Sequence, residues 1–305
     1  MRADLRAARR HRPDADALGL ALGADRSGQR RGSCHRSDAR HRRCHHATAF
    51  LRCDLGGGHP PPIYATVCGR GDLSAEGCAD SAVLQGTVGL VPGAAYAATF
   101  LVACEQGAAA GVFSVDADIE GVTVGPVQPL MGLAGSGTAS LTCNDVRLAS
   151  SARVGDLKLA RTVEDTVRVA HAAQAVGIAA GALDAALGYV SSTRATEDTG
   201  KPPQAIQWML ADIATESERA RLLLWHAALA LEVADAREAA AACRLLAAEA
   251  AVAASRRVVQ VAGEQGTLRT SVLDRRCRDA KVMEVLGGTN EDQLGVIAAG
   301  LLPGL

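Results

Sequence analysis

Residues 162–192, TVEDTVRVAHAAQAVGIAAGALDAALGYVSS, decide the fold class of this chain. Alanine, valine and leucine dominate the segment, proline is absent from it, and it is far longer than an ordinary strand of about 3–10 residues. Thr162 stands three residues before Asp165, which is the spacing of a capping box. We therefore predict a helix that begins at Thr162 and ends near Ser192.

Four further helices are predicted after this one, each between a start signal and a stop signal. The second helix begins after the breaker at residues 200–203 and runs to about Val233. The third runs from the capping box at 235–238 to Gly263. The fourth runs from Ser271 to the glycines 287–288, and the fifth from Thr289 to Gly300. Ala, Leu and Val supply most of the inward-facing positions. Five such helices predict an antiparallel bundle.

Short runs of β-forming residues precede the helices. They lie at residues 83–84, 99–104, 111–115, 122–124 and 139–143, with Gly, Pro, Asp and Ser turns between them. Strands of this length and spacing predict a small antiparallel sheet or barrel. The predicted fold class is α+β: a β domain over residues 63–157, an antiparallel helical bundle over residues 158–305, and a segment without recognisable fold over residues 1–62.

Residues 1–60 differ from the rest of the chain in charge. Thirteen arginines stand there against six aspartates and no glutamate, a net charge of +7, whereas the remainder carries −8. One interpretation is a basic arm for nucleic acid or an acidic surface. A second is a metal site built from Cys34, His35, His41, Cys44, His45, His46 and Cys53. A third is a segment that does not fold, such as a misassigned start or a shifted reading frame.

The spacing of these cysteines and histidines argues against a metal. Zinc sites usually contain a knuckle with two to four residues between cysteines, whereas Cys44 and Cys53 are nine apart. The segment also lacks the helical or strand periodicity that would hold ligands in place. The third interpretation is therefore preferred, and neither a metal nor a nucleic-acid partner is predicted.

The composition of the whole chain is that of an ordinary globular protein. It has 305 residues, 48% of them hydrophobic and 21% charged, and a net charge of −1. No apolar run reaches the roughly 18 residues of a membrane span, and the N-terminus has no apolar signal core. The later cysteines are scattered in apolar surroundings, as is usual for reduced thiols. A cytoplasmic protein without a membrane span is expected.

Several stretches resemble motifs of the acyl-CoA dehydrogenase family, in the same order and at the same spacing. Residues 166–177 and 182–184 are similar to the first helix of that family's C-terminal domain. Residues 200–207 resemble the following loop and helix start, 260–266 the flavin-binding turn, and 278–281 with 288–291 the final signature. Upstream, residues 131–132, 136 and 144–147 resemble the end of the β domain. The resemblance covers residues 80–305.

This resemblance implies a flavoprotein oxidoreductase of fatty acid metabolism and lipid degradation. It implies FAD held between the subunits of an oligomer, an acyl-CoA thioester as substrate, a 2-enoyl-CoA product and an electron-transfer flavoprotein as acceptor. The positions similar to flavin contacts are Gln260, Gly263, Gly266, Thr289 and Glu291. Asp165 and Arg168 match positions close to the substrate. For the glycines, helix termination alone is an alternative explanation.

The resemblance also implies a glutamate base at one of two positions. Here these positions are Gly287 and Val167, so neither carries a carboxylate. Glu164 and Glu284 each stand three residues before one of them and can share a helix face with it. They are the candidate substitute bases, because a base must come within hydrogen-bond distance of its proton.

Other positions depart from the family pattern. Residues 90–92 replace its Trp-x-Thr, residues 197–200 replace its Arg-x-Phe-Gly, and Glu264 replaces the second glycine of its flavin turn. Residues 1–60 show no counterpart of its N-terminal helical domain. Two functions are therefore expected: an FAD-dependent acyl-CoA dehydrogenase with a relocated base, or a non-catalytic partner subunit or pseudoenzyme of a hetero-oligomeric acyl-CoA dehydrogenase. In either case the chain alone is not expected to oxidise acyl-CoA. The alternative to a pairing with a complete homologue is a homo-oligomer.

Overall fold

The computed structural model describes residues 64–78, 81–192, 201–233 and 236–302. Within these ranges the chain forms seven strands followed by five α-helices. The strands are β1 (Tyr64–Cys78), β2 (Ser81–Val91), β3 (Thr99–Gln106), β4 (Gly111–Asp116), β5 (Val122–Val124), β6 (Ala139–Ala149) and β7 (Arg153–Gly155). The predicted order, a sheet and then a helical bundle, is confirmed.

The seven strands form one sheet in the order β5-β6-β2-β1-β3-β4-β7. The prediction of a purely antiparallel sheet is wrong for one pair, because β1 and β3 run parallel, with Tyr64 opposite Thr99. β3 follows β2 in the opposite direction but pairs with β1, since the other edge of β2 is occupied by β6. Local strand patterns do not specify which neighbour a strand will choose.

The sheet buries its own apolar core. Leu73, Leu84, Phe100, Val102 and Leu141 are completely or almost completely enclosed. Cys104 and Cys143 are buried in the same core. Burial, with a smaller contribution from Cys143, raises the pKa of Cys104 to about 12, so this thiol behaves as an uncharged core group.

The helices are α1 (Leu157–Ser192), α2 (Gln204–Val233), α3 (Arg237–Ala262), α4 (Val272–Met283) and α5 (Asn290–Leu301). The predicted start of α1 is wrong. Asp156 Oδ1 accepts a hydrogen bond from the backbone N–H of Leu159 at 3.0 Å, so the helix begins at Leu157 and not at Thr162. Thr162 lies inside α1 and its hydroxyl donates to the carbonyl of Lys158 at 3.1 Å.

The remaining helix ends follow the predictions more closely. α2 ends at Val233 and α3 is followed by Gly263, as predicted. Ser271 caps α4 and Thr289 forms a capping box with Asp292, although α4 ends at Met283, before the predicted glycines. The residue before α3 is Ala236, which has no capping side chain, and Asp235 lies outside the described residues.

α3 is the central helix of the bundle and packs against α1, α2, α4 and α5. Its inward positions are mostly alanines, among them Ala240, Ala247 and Ala251, which are fully buried. Small side chains allow the neighbouring helix axes to approach closely. The large buried side chains in this region are therefore few, and Arg168 and Arg244 are two of them.

α1 is the helix of the described residues that is long and apolar enough to cross a membrane by length and composition. In this structure it packs against α2, α3 and α4. It also buries the ionisable side chains Glu164, Asp165 and Arg168, which are costly inside hydrocarbon. Of its most apolar stretch 39% is buried, so one face of this helix contributes to the core of the bundle.

The loop before β6 joins the sheet to the bundle. The backbone N–H of Leu133 donates to Asp279 Oδ1 at 2.7 Å, and Arg278 Nη1 donates to the carbonyl of Met131 at 2.7 Å. Between them, Gly132 lies so close to α4 that a Cβ at this position would be 2.3 Å from the carbonyl oxygen of Arg278. The sheet and the bundle are thus joined by two hydrogen bonds between the backbone of this loop and side chains of α4, and by the close approach of Gly132 to the backbone of α4.

Candidate functional site

The turn between α4 and α5, residues 284–289, contains a position singled out by the sequence. Gly287 and Gly288 have φ values of +75° and +109°, which glycine adopts without steric cost. Arg244 of α3 is completely buried and donates from Nη2 to the carbonyl oxygens of Met283 and, at 2.9 Å, Leu286. The backbone of the turn is therefore held by a buried guanidinium.

His171 of α1 packs directly against this turn. A Cβ built on Gly287 would lie 2.2 Å from Cε1 and 2.3 Å from Nδ1 of the imidazole. His171 is 9% exposed, and its Nδ1 is enclosed without a hydrogen-bond partner among the described residues. Burial, with Arg244 as a second cause, lowers the pKa of His171 to about 3. The imidazole is therefore neutral at physiological pH.

Sequence reasoning did not place His171 in the site. In the sequence it is a single histidine on an alanine-rich helix, which predicts a structural or solvent-facing side chain. The signal in the sequence that could have identified His171 is a polar residue among the apolar residues on the inward face of a helix. Its proximity to residue 287, however, arises from the packing of α1 against the turn and cannot be seen in either segment alone.

Asp165 and Arg168, the predicted substrate-facing residues, lie together in a buried ionic network. Arg168 is 1% exposed and donates to Glu164 at 2.7 Å, to Asp165, and from Nε to Gln293 of α5 at 3.0 Å. Burial raises the pKa of Asp165, and the positive charge of Arg168 opposes that change. The network joins α1 to α5, and in it one guanidinium contacts two carboxylates.

Glu164, the first candidate base, belongs to the same network. Its second carboxylate oxygen lies 3.6 Å from Arg237 Nη1, and Arg237 also lies 3.7 Å from Glu105 on β3. Glu164 and Val167 are both on α1, as predicted, and Val167 is half-buried. The carboxylate of Glu164 is thus engaged by two arginines.

Glu284, the second candidate base, does not share a helix face with Gly287. α4 ends at Met283, Glu284 is its C-cap residue, and Gly287 lies in the turn beyond it. The carboxylate of Glu284 forms an ion pair with Lys281. The prediction of a shared helix face fails here, because the chain leaves the helical path before it reaches residue 287.

The predicted flavin-contacting residues at the end of α3 differ in their surroundings. Gln260 and Gly263 are exposed, and Gly263 has a φ of +56° with open space where a Cβ would be. Gly266 is buried, and a Cβ there would lie 2.7 Å from the carbonyl oxygen of Val259. Gly263 thus leaves backbone open to a ligand, whereas Gly266 is required for packing.

Thr289 and Glu291 stand at the start of α5, away from the Gly263 turn. Thr289 Oγ1 accepts from the N–H of Asp292 at 3.2 Å, so its hydroxyl caps the helix, and Glu291 is exposed. Arg244 contacts the turn before Thr289, and from Arg244 to Gln260 α3 rises about 24 Å at 1.5 Å per residue. One chain therefore presents two separated groups of predicted flavin-contacting residues.

A cleft of about 1110 Å³ lies between α2, α3 and α5. Glu164, Arg168 and Arg237 line one part of it, and Glu291 lines another. Apolar side chains, Leu223 and Val296 among them, complete its walls. The cleft brings one candidate base, one candidate substrate residue and one candidate flavin residue to a common space.

No metal centre is found in the part of the chain that the structure describes. No group of three or more His, Cys, Asp or Glu side chains there could hold an ion. The cysteines and histidines between Cys34 and Cys53 lie outside the described residues.

Comparison with known proteins gives consistent matches over the sheet and the bundle. The family model "Acyl-CoA dehydrogenase, C-terminal domain" matches residues 157–302. The human mitochondrial short-chain specific acyl-CoA dehydrogenase is 35% identical over 252 residues, which are 79% of this chain and 61% of that protein. The chain thus spans about three fifths of the length of this relative.

Solved structures agree with this result. Butyryl-CoA dehydrogenase from Megasphaera elsdenii superposes with a TM-score of 0.69 at 27% identity, over 79% of this chain and 68% of that one. A structure described as the electron transferring flavoprotein of Acidaminococcus fermentans superposes with a TM-score of 0.70 at 27% identity, over 79% and 69%.

Proposed function

The chain belongs to the acyl-CoA dehydrogenase family, and from that premise we propose that it serves the FAD-dependent oxidation of an acyl-CoA thioester to 2-enoyl-CoA as a partner subunit. In this proposal it pairs with a complete homologue, contributes interface and FAD half-sites, and does not itself supply the base. The observation that carries the proposal is at Gly287. The family resemblance implies the glutamate base at this position, and the space that a Cβ would occupy there is filled by His171.

Members of the family are FAD-dependent, and we propose the same cofactor for this chain. Bound FAD would accept the hydride from the β-carbon of the thioester. Gly263 offers an open, exposed backbone turn, and Gln260 is exposed beside it. Glu291 and the capping residue Thr289 form the second candidate group. The separation between the groups supports half-sites completed by another subunit.

The side chains of the bundle have a positioning role in this proposal. Arg168 ties α1 to α5 through Gln293, and Arg244 fixes the turn that leads into α5. Both arginines are buried: Arg168 donates to internal acceptors from all three of its nitrogens, and Arg244 donates from Nη2. They therefore hold the cleft in shape, and the exposed parts of the cleft are left for ligand contact.

The substrate, the electron acceptor and the cellular location are also proposals. The family in general implies an acyl-CoA substrate and an electron-transfer flavoprotein as acceptor. We propose both for the complex that contains this chain, and a cytoplasmic location for that complex. The scattered, buried thiols Cys104, Cys143 and Cys243 support a reducing compartment.

The proposal is tested by purifying the full chain alone and together with a complete acyl-CoA dehydrogenase from the same organism. Flavin absorbance and its bleaching are recorded over a series of saturated acyl-CoA chain lengths. We expect no substrate-dependent bleaching with the chain alone, and bleaching with the co-purified pair at a rate that differs from that of the homologue by itself. Bleaching and turnover by the isolated chain would contradict the partner-subunit role.

A second candidate function, a self-sufficient dehydrogenase, is favoured by the position of Glu164. This carboxylate lines the same cleft as Arg168 and Glu291. If the isolated chain turns over acyl-CoA, Glu164→Gln and Glu284→Gln should identify the base by a loss of about 10²-fold or more in rate. Glu238→Gln, which changes a carboxylate lining the same cleft, is the matched control.

A further inference from the structure

The contact between His171 and Gly287 is closer than any side chain at residue 287 would permit. The two ring atoms Cε1 and Nδ1 lie 2.2 Å and 2.3 Å from the position of a Cβ. Non-bonded carbon atoms pack at about 3.5–4.0 Å. Every residue other than glycine at this position would therefore overlap the imidazole.

Neither partner in this contact can move aside without breaking other interactions. The turn is fixed by Arg244, which donates to the carbonyl oxygens of Met283 and Leu286. His171 stands on the buried face of α1, between Ala170 and Ala172, which are 2% and 0% exposed. A backbone held on one side and a helix core on the other leave no room for the overlap to relax.

Within the described residues, packing rather than hydrogen bonding surrounds Nδ1 of the imidazole. Its Nδ1 is enclosed and makes no hydrogen bond, which is costly for a buried polar atom. A structural histidine would normally have a partner for each buried ring nitrogen. A side chain kept under these conditions is explained by what its volume excludes.

We infer that His171 is a positioning residue that excludes any side chain, and with it a carboxylate base, from position 287. His171 and Gly287 form one steric pair: residue 287 can carry a side chain when the imidazole is removed, and not while it is present. The functional part of this inference rests on the function proposed above, whereas the steric part does not.

The steric part is tested by a double-mutant cycle of Gly287→Ala, His171→Ala and the two combined in the full chain. Gly287→Ala should lower the Tm by about 5–10 °C in the parent, because it adds both a clash and a strained positive φ. In the His171→Ala background, Gly287→Ala should lower the Tm by half as much or less, since only the strain of the positive φ remains. Equal losses in the two backgrounds would overturn the inference.

A protein that does not fold would still give an answer. If Gly287→Ala cannot be recovered in folded form, the expected result is that Gly287→Ala with His171→Ala can be recovered and shows cooperative unfolding. Failure of both variants, with His171→Ala alone folded, would mean that the turn rejects a side chain for another reason. That outcome also overturns the inference.

The functional part uses the pair with a complete homologue whose own base has been changed to glutamine. Gly287→Glu combined with His171→Ala should bleach bound flavin on addition of acyl-CoA at least 10-fold faster than Gly287→Glu alone. Equal rates in the two variants would contradict the exclusion of a base by His171. If no variant binds FAD, the proposed function fails, while the Tm cycle still decides the steric pair.

Discussion

Arg168 is the residue on which most of the buried charge of the bundle depends. Its guanidinium faces Glu164 and Asp165, which have side chains 8% and 5% exposed, and Gln293. Because each carboxylate has been removed from water, both need a nearby positive charge; Arg168 contacts both, and Arg237, 3.6 Å from Glu164, supplies the second charge. Replacement of one partner in a buried pair is much more costly than replacement of an exposed partner.

We therefore expect Arg168→Ala to lower the free energy of unfolding by about 3–5 kcal/mol. The measurement is urea denaturation followed by circular dichroism. Arg147→Ala is the matched control, since Arg147 pairs with Asp145 but the two side chains are 80% and 62% exposed. A change within about 1 kcal/mol is expected for the control. If both variants lower the free energy of unfolding by similar amounts, the buried network of Arg168 does not contribute more stability than an exposed ion pair.

His171 makes the stability of the chain depend on pH. Burial lowers its pKa to about 3, from an ordinary value near 6.5 that applies in the unfolded chain. Between these values the unfolded state binds one proton more than the folded state, so its stability falls as the pH is lowered from about 6.5 towards 3. His171→Gln should flatten this fall, by about 3 kcal/mol at pH 4, since each pH unit between 6.5 and 4 contributes about 1.4 kcal/mol. Chemical denaturation from pH 8 to pH 4 measures it, and parallel curves for the two proteins would contradict the effect.

At the scale of the element, the helix ends show where local sequence is sufficient to predict structure. Ser271 and Thr289 were predicted as caps and act as caps, because their signals involve residues two or three positions apart. The predicted cap at Thr162 failed because Asp156, six residues earlier, already starts α1. The parallel pairing of β1 with β3 was also missed, since it is decided by which strand edges remain open.

These helix ends give opposite expectations for two similar substitutions. Thr289→Ala removes the hydroxyl that accepts from the N–H of Asp292, while the backbone N–H of residue 289 can still donate to Asp292, and should lower the free energy of unfolding by about 1 kcal/mol. Thr162→Ala removes a hydroxyl that donates to the carbonyl of Lys158 within the helix, and should be neutral or stabilising by a few tenths of a kcal/mol. Thermal and urea unfolding measure both. A loss of about 1 kcal/mol at residue 162 would restore Thr162 as the cap.

At the scale of the whole molecule, the order of the two layers was predictable but the arrangement of the site was not. Motif spacing placed Asp165 beside Arg168 on one helix, and the structure has them in contact. The same spacing could not show that Gln293, far along the chain, completes that network, or that His171 meets Gly287. Such contacts depend on how α1 packs against α5 and the turn, which is decided by the entire alanine-rich core.

The joint between sheet and bundle supplies a test at the same scale. Gly132→Ala would place a Cβ 2.3 Å from the carbonyl oxygen of Arg278, and backbone on α4 cannot yield as a flexible side chain can. Three residues on, a Cβ at Gly135 would have no atom within 4 Å, which makes Gly135→Ala the matched control in one loop. We expect Gly132→Ala to lower the Tm by about 4–8 °C and to expose the loop at residues 125–138 to proteolysis. Gly135→Ala should leave both unchanged. If Gly132→Ala loses Tm without faster cleavage of the loop, the clash is absorbed inside α4 and the layers stay joined by Asp279 and Arg278 alone.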